Sequence, residues 1–212
     1  MGKYVTAAEA VQVVKSGDRV YVQAAAATPT ILTKALTDRA SELRDVELCH
    51  LHTEGDAPYA NPELAESFHV NSFFIGANVR HTLKAGNGSY TPVFLSELPL
   101  LFRKNVLKLD VAFIHVSPPD SHGYCSLGVS VEATVAAIEN AKTVIAQVNP
   151  NMPRTFGDGI MHVSEIDYLV EVNVPIFAHD VTPFTAEEEK IGTYVASLIE
   201  NKSTLQMGIG SI

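Results

Sequence analysis

The stretch "KTVIAQVN", residues 142–149, carries four apolar side chains between a lysine and an asparagine. Its length suits a strand, and its apolar residues run on without strict alternation, as they do in a strand covered on both faces. Working outward, "LDVAFIHV" at 109–116 repeats the pattern, and "DRVYVQ" at 18–23, "VELCHLHT" at 46–53 and "NSFFIGANV" at 71–79 read as further strands. Helical spacing is found at about 62–68, 95–103 and 129–140, and after Pro29 through Ile31, Leu32, Ala35 and Leu36. Strands alternating with helices imply an α/β fold: an open, mostly parallel sheet with flanking helices. "GNGSYTPV" (86–93) and "NPNMPRTFGDGIMHVSEI" (149–166) hold too many turn residues for regular elements and read as loops.

Two capping boxes mark helix starts. Thr6 with Glu9 opens one that stops at Ser16-Gly17, and Thr185 with Glu188 opens an acid-rich one through "AEEEKIGTYVASLIEN". Each is followed by a short polar turn, an apolar strand and a small-residue loop: "AAAATP" (24–29) after the first, and "LQMGIGSI" (205–212), with the closing strand leading into its glycines, after the second. The two units match as an internal duplication would, or as any two α/β units do. On this reading residues 1–184 form one α/β domain and 185–212 the start of a second, similar one.

Composition narrows the function. The 212 residues are 46% hydrophobic, enough for a substantial core, and the net charge of −9 gathers no basic patch for nucleic acid. Apolar runs break well before the roughly 20 residues of a membrane span, and the start lacks a secretory core. Cys49 and Cys125 have neither metal-type spacing nor a disulfide framework. A soluble, cytoplasmic protein with two buried thiols is expected.

Candidate chemistry is sparse. Ser117, Asp120, Ser121 and His122 cluster in "SPPDSHGYCSLGVS", yet there is no G-x-S-x-G elbow, so a tight turn is the better reading than a serine hydrolase. His50 and His52 share a strand face, with His115 and His122 elsewhere, but no acid stands at ligand spacing and no metal is expected. Glu97 in "FLSELP" and Glu54 in "HTEGD" are candidate carboxylate nucleophiles or bases on similar grounds. The two glycines of "GIGSI" let backbone N–H groups approach an anion.

"FLSELPLLF", "LDVAFIHVSPPDSHGYCSLGVSVEAT", "VIAQVNPNMPRTFGDGIMHVSEID" and "LQMGIGSI", in this order, resemble the acetyl-CoA hydrolase/transferase family, most closely its 4-hydroxybutyrate and butyrate CoA-transferase branch. The resemblance covers essentially the whole chain. It implies two similar open α/β domains, homo-oligomerisation of the full-length protein, CoA and acyl-CoA as substrates with no permanently bound cofactor, and transfer of CoA to a short carboxylate such as acetate. A glutamate serves as nucleophile there, through an acyl anhydride and then a glutamyl-CoA thioester, giving ping-pong kinetics. In the family it lies a little beyond the Gly-Ile-Gly loop, in a Gly-Ile-His-Ser-Glu-Met segment that these residues lack, and Glu97 and Glu200 do not match its position. The chain is thus expected to be an amino-terminal domain with no catalytic residue of its own. The resemblance places the CoA and oxyanion loop at Gln206, Gly208, Ile209, Gly210, Ser211 and Ile212. By the pseudo-repeat, Ala26, Thr28 and Pro29 face the acyl group or carboxylate across the site. An acyl-CoA hydrolase of the same family and a non-catalytic binding or assembly module are the alternatives.

Overall fold

A computed structural model describes residues 2–179, 183–206 and 208. Residues 1–177 and 178–212 form two compact units.

The first unit is built on a parallel sheet. The chain lays down β1 (Lys3–Tyr4), then α1 (Ala7–Ala10) with a 3-10 turn at Val11–Val13, β2 (Arg19–Val22), α2 (Thr30–Thr37) and β3 (Val46–His50). It continues through β4 (Phe68–Ser72), α3 (Thr82–Ala85), β5 (Gly88–Tyr90), α4 (Leu98–Arg103) and β6 (Leu109–Val116). β7 (Tyr124–Ser126), α5 (Thr134–Asn140), β8 (Ala141–Val148), β9 (Ile160–His162) and β10 (Tyr168–Glu171) complete it. The sheet runs β1-β10-β8-β6-β2-β3-β4-β5 with every described pairing parallel, while β7 and β9 form a separate antiparallel ribbon.

Burial on both faces explains the unbroken apolar strands. In β6, Ala112, Ile114 and Val116 join Tyr21, Cys49 and Phe102 on one face, and Val111 and Phe113 join Val22, Leu36 and Leu48 on the other. Each large aliphatic side chain so buried contributes about 1.5–3 kcal/mol. Chain order then fixes a crevice. From β2 the chain moves to β3, β4 and β5, returns across β2 to β6, and moves the other way through β8 to β10. The reversal between β2 and β6 opens a crevice at the carboxyl ends of these strands, where ligands bind in open α/β sheets.

Several elements differ from the sequence reading. The helix expected over 62–68 is a single 3-10 turn, Pro62–Leu64, opened by the Asn61 side chain on Glu63 N at 3.0 Å. Phe68 then begins β4, because Phe68 and Val70 fill the core and the strand pairs with β3. The strand expected at 71–79 therefore starts earlier. Phe73 N and Phe74 N still donate to His50 O and Leu51 O, and the following residues turn away. The two turn-rich stretches hold the short strands β5 and β9.

In the second unit α6 (Ala186–Ser197) starts at the Thr185 and Glu188 capping box read from the sequence. Its apolar residues Ile191, Tyr194 and Val195 are exposed, as are Leu198 and Ile199 just beyond. Residues 203–206 are exposed and adopt no strand.

Candidate functional site

The carboxyl ends of three neighbouring strands each deliver a buried amide or imidazole. Gln23 follows β2, His115 lies in β6, and Gln147 and Asn149 lie at the end of β8, all at most 2% exposed. Gln23 Oε1 accepts from His115 N at 2.7 Å, and its Nε2 donates to Leu127 O and Ser130 O at 3.1 and 2.6 Å. Gln147 Oε1 accepts from Ile31 N at 3.1 Å, in the first turn of α2. Asn149 Oδ1 accepts from Asn151 N, and its Nδ2 donates to Val174 O at 2.8 Å.

These partners orient both amides so that their NH2 groups face His115 Nε2, at 3.2 and 3.1 Å. That nitrogen must accept, so the proton sits on Nδ1, a buried atom with no hydrogen-bond partner among the described residues. Burial lowers the pKa of the imidazole to about 4, and the ring is neutral. His50, wholly buried and 3.2 Å from Tyr59 Oη, is lowered to about 4 by the same desolvation.

Above this layer lies the 24–29 loop. Ala25 has φ +52°, the left-handed region unfavourable to a residue with a Cβ, and pairs with Thr53 while its N–H donates to His52 O at 2.8 Å. Thr28 Oγ1 donates to Ala25 O at 2.7 Å and accepts from Glu54 N at 3.0 Å. Ala24 N donates to Glu132 Oε1, and Ala27 N and Thr28 N donate to Ala24 O and Ala25 O. The amide of Ala26, a half-buried residue, has no acceptor among the described residues. A cavity of about 480 Å³ opens beside the loop, lined by Thr28, Thr33, Lys34, Glu54, Tyr59 and Phe177 among others.

The structure thus brings Ala26, Thr28 and Pro29 to the switch point: Thr28 is buried, and buried Pro29 is the residue from which α2 starts. Gln206 and Gly208 belong to the second unit, where both are exposed. Ile209, Gly210, Ser211 and Ile212 lie outside the described residues. Ser117 Oγ bonds Pro118 O and Ser126 N, and Asp120 accepts from His122 N and Tyr124 N and pairs with Arg154 at 2.8 Å. The "SPPDSHGY" segment is therefore a braced turn, with no nucleophile and base in line. Among the described residues no group of three His, Cys, Asp or Glu stands ready for a metal. Both cysteines are free and buried, and burial pushes the Cys125 thiol up to about 11. Sequence reading passed over Gln23, Gln147, Asn149 and Glu132. The available signal was a polar amide placed where an apolar strand delivers its carboxyl end, in "VYVQ" and "VIAQVN".

A family profile described as the acetyl-CoA hydrolase/transferase N-terminal domain matches residues 1–178. The chain belongs to this family. Within it, the succinyl-CoA:acetate/propanoyl-CoA:succinate CoA transferase of Fasciola hepatica is 43% identical over 201 residues, 93% of this chain and 42% of that protein. The 4-hydroxybutyrate coenzyme A transferase of Clostridium kluyveri is 42% identical over 210 residues, 99% of this chain and 49% of that one. The fold agrees. RipA from Yersinia pestis superposes with a TM-score of 0.92 at 31% identity over 99% of this chain and 51% of its own. The 4-hydroxybutyrate CoA-transferase of Porphyromonas gingivalis gives 0.82 at 35% over 99% and 49%. The chain spans about half the length of the family members it matches.

Proposed function

We propose that the intact protein containing these residues is a CoA-transferase. It moves CoA between a short-chain acyl-CoA, 4-hydroxybutyryl- or butyryl-CoA, and acetate or a similar carboxylate. The observation that carries the reading is similarity along 93–99% of the chain to proteins named as CoA transferases, at 42–43% identity. Residues 1–184 are the amino-terminal domain on this reading, and 185–212 begin a second one. The exposed apolar residues of α6 support the latter, since a stripe at spacings of three and four is ordinarily buried against a neighbour.

The chemistry balances without ATP. A glutamate outside residues 1–212 attacks the acyl-CoA carbonyl and expels the CoA thiolate, forming an acyl-glutamyl anhydride. The thiolate then attacks the glutamyl carbonyl, releasing the first carboxylate and leaving glutamyl-CoA, and an incoming carboxylate runs the two steps in reverse. In this scheme the 205–212 segment, with Gln206, Gly208, Ile209, Gly210, Ser211 and Ile212, holds CoA and donates to the oxyanion. Each well-placed donor is worth about 3 kcal/mol. Ala26, Thr28 and Pro29 face the acyl group or carboxylate. The reading of this loop is supported by its place at the switch point, its small side chains and the unengaged Ala26 amide.

The family description also names hydrolases, and in a hydrolase water intercepts the glutamyl intermediate. Intact protein given butyryl-CoA and acetate is expected to form acetyl-CoA at the rate butyryl-CoA disappears. Free CoA without acetyl-CoA establishes the hydrolase instead. Loss of neither substrate leaves a binding or assembly module. Two free buried thiols and an acidic surface charge support a cytoplasmic protein that does not bind nucleic acid. No described helix is long and apolar enough to cross a membrane. By the family resemblance the intact protein is a homo-oligomer.

A further inference from the structure

Glu132 lies in the segment between β7 and α5, 108 residues from the loop it touches, and its carboxylate is surrounded by donors. Oε1 accepts from Ala24 N at 3.1 Å and from the Tyr21 hydroxyl at 3.2 Å, with Thr134 Oγ1 at 3.3 Å; the two hydroxyls share their two protons among these contacts and the one between themselves, and Oε2 accepts from Ser130 Oγ at 2.7 Å. Tyr21 is wholly buried and bonded to Thr134 at 2.8 Å, so the phenol cannot follow the carboxylate elsewhere. Glu132 has φ +20°, outside the usual range for a side-chain-bearing residue, and Ala25, next to the other end of the Ala24 bond, has φ +52°. Two unfavourable backbone conformations thus flank one hydrogen bond, and such conformations persist only where surrounding contacts over-determine them. Gln23 fastens the same pair of segments from beneath, through Leu127 O and Ser130 O.

We propose that Glu132 is a positioning residue for the transfer reaction: its carboxylate fixes the Ala24 amide and thereby presents the 24–29 loop, with the free Ala26 N–H, to the reacting group. This rests on the functional reading above. Glu132 is not a nucleophile on this account, because both oxygens are already engaged. Its service is to hold a backbone donor in place, where an error near 1 Å costs about a hundredfold in rate.

The test compares intact wild-type protein with Glu132→Ala, Glu132→Gln and Tyr21→Phe, taking Glu139→Gln on the exposed Arg103 pair as the control. Two readouts are followed: amide hydrogen exchange over residues 24–28, and kcat and KM for acyl-CoA and acetate. In Glu132→Ala, exchange at 24–28 should rise at least tenfold and kcat should fall tenfold to a hundredfold, with KM for acyl-CoA changed less than threefold. Glu132→Gln keeps an acceptor for Ala24 N, and Ser130 Oγ can turn to accept from the new amide, so it should recover most of both. Tyr21→Phe removes one of the fixing donors and should show the same two changes to a smaller degree, which keeps the test decisive if Glu132→Ala does not fold. An active wild type with unchanged kcat in both the Ala and Phe variants, or unchanged exchange at 24–28, overturns the role of Glu132 alone. A wild type that moves no CoA overturns the functional reading, and that result is read before any variant.

Discussion

His115 is buried without a charge, and this gives the protein a pH dependence with a definite sign. Its folded pKa is about 4, against about 6.5 for an unperturbed imidazole, and His50 is lowered to the same value by the same burial. Between these limits the unfolded chain binds protons that the folded one refuses, so stability falls as pH drops from about 6.5 toward 4. Glu9, Glu47, Asp110 and Asp120, whose carboxyls are all held below their ordinary range, add their loss at the acid end, below about 4.5. Urea unfolding at pH 7 and pH 5 is expected to show a stability difference that shrinks in His115→Gln. Equal differences in wild type and variant would refute the buried neutral imidazole. Gln147→Leu leaves Ile31 N without its acceptor, and a loss of about 1–3 kcal/mol with unchanged m-value is expected. These residues were visible in the sequence only as polar ends of apolar strands, because a hydrogen bond between positions 31 and 147 leaves no local pattern.

At the scale of elements, the signals that held were the ones closed within a few residues. Both capping boxes formed as spaced, with Thr6 and Glu9 bonded reciprocally, and Thr6→Ala should cost about 1 kcal/mol by urea midpoint. The strands 109–116 and 142–149 appeared nearly residue for residue, since a strand buried on both faces announces itself by composition. The expected helix at 62–68 shrank to the Pro62–Leu64 turn because Phe68 and Val70 are drawn into β4 beside β3, and tertiary pairing outweighs weak helical spacing. Glycines separate backbone strain from crowding. Gly17 has φ +83° with open space where a side chain would go, whereas at Gly128, φ +68°, the Met152 thioether occupies that place. Gly17→Ala should therefore cost about 1–2 kcal/mol, and Gly128→Ala measurably more in the same assay. Equal losses would show that Met152 moves aside freely.

For the whole molecule, the proposed function makes these residues the substrate-facing half of a two-part transferase site. The purified 212 residues should turn over no acyl-CoA, and the intact protein should, with the same butyryl-CoA and acetate in both assays. Transfer by the 212 residues alone would mean that a carboxylate within them acts as nucleophile. The sequence by itself determined the α/β class, the parallel sheet and the family, because apolar periodicity, helix caps and the "VSPPD" to "VNPNMPRT" segments are local in the chain. The tertiary structure alone decided which residues meet at the crevice. Strand order sets β6 between β2 and β8, so His115 meets Gln23 on one side and Gln147 on the other, and Glu132 reaches the amide of Ala24. Those contacts depend on how the chain crosses its own sheet, a property of topology that no short stretch of sequence encodes.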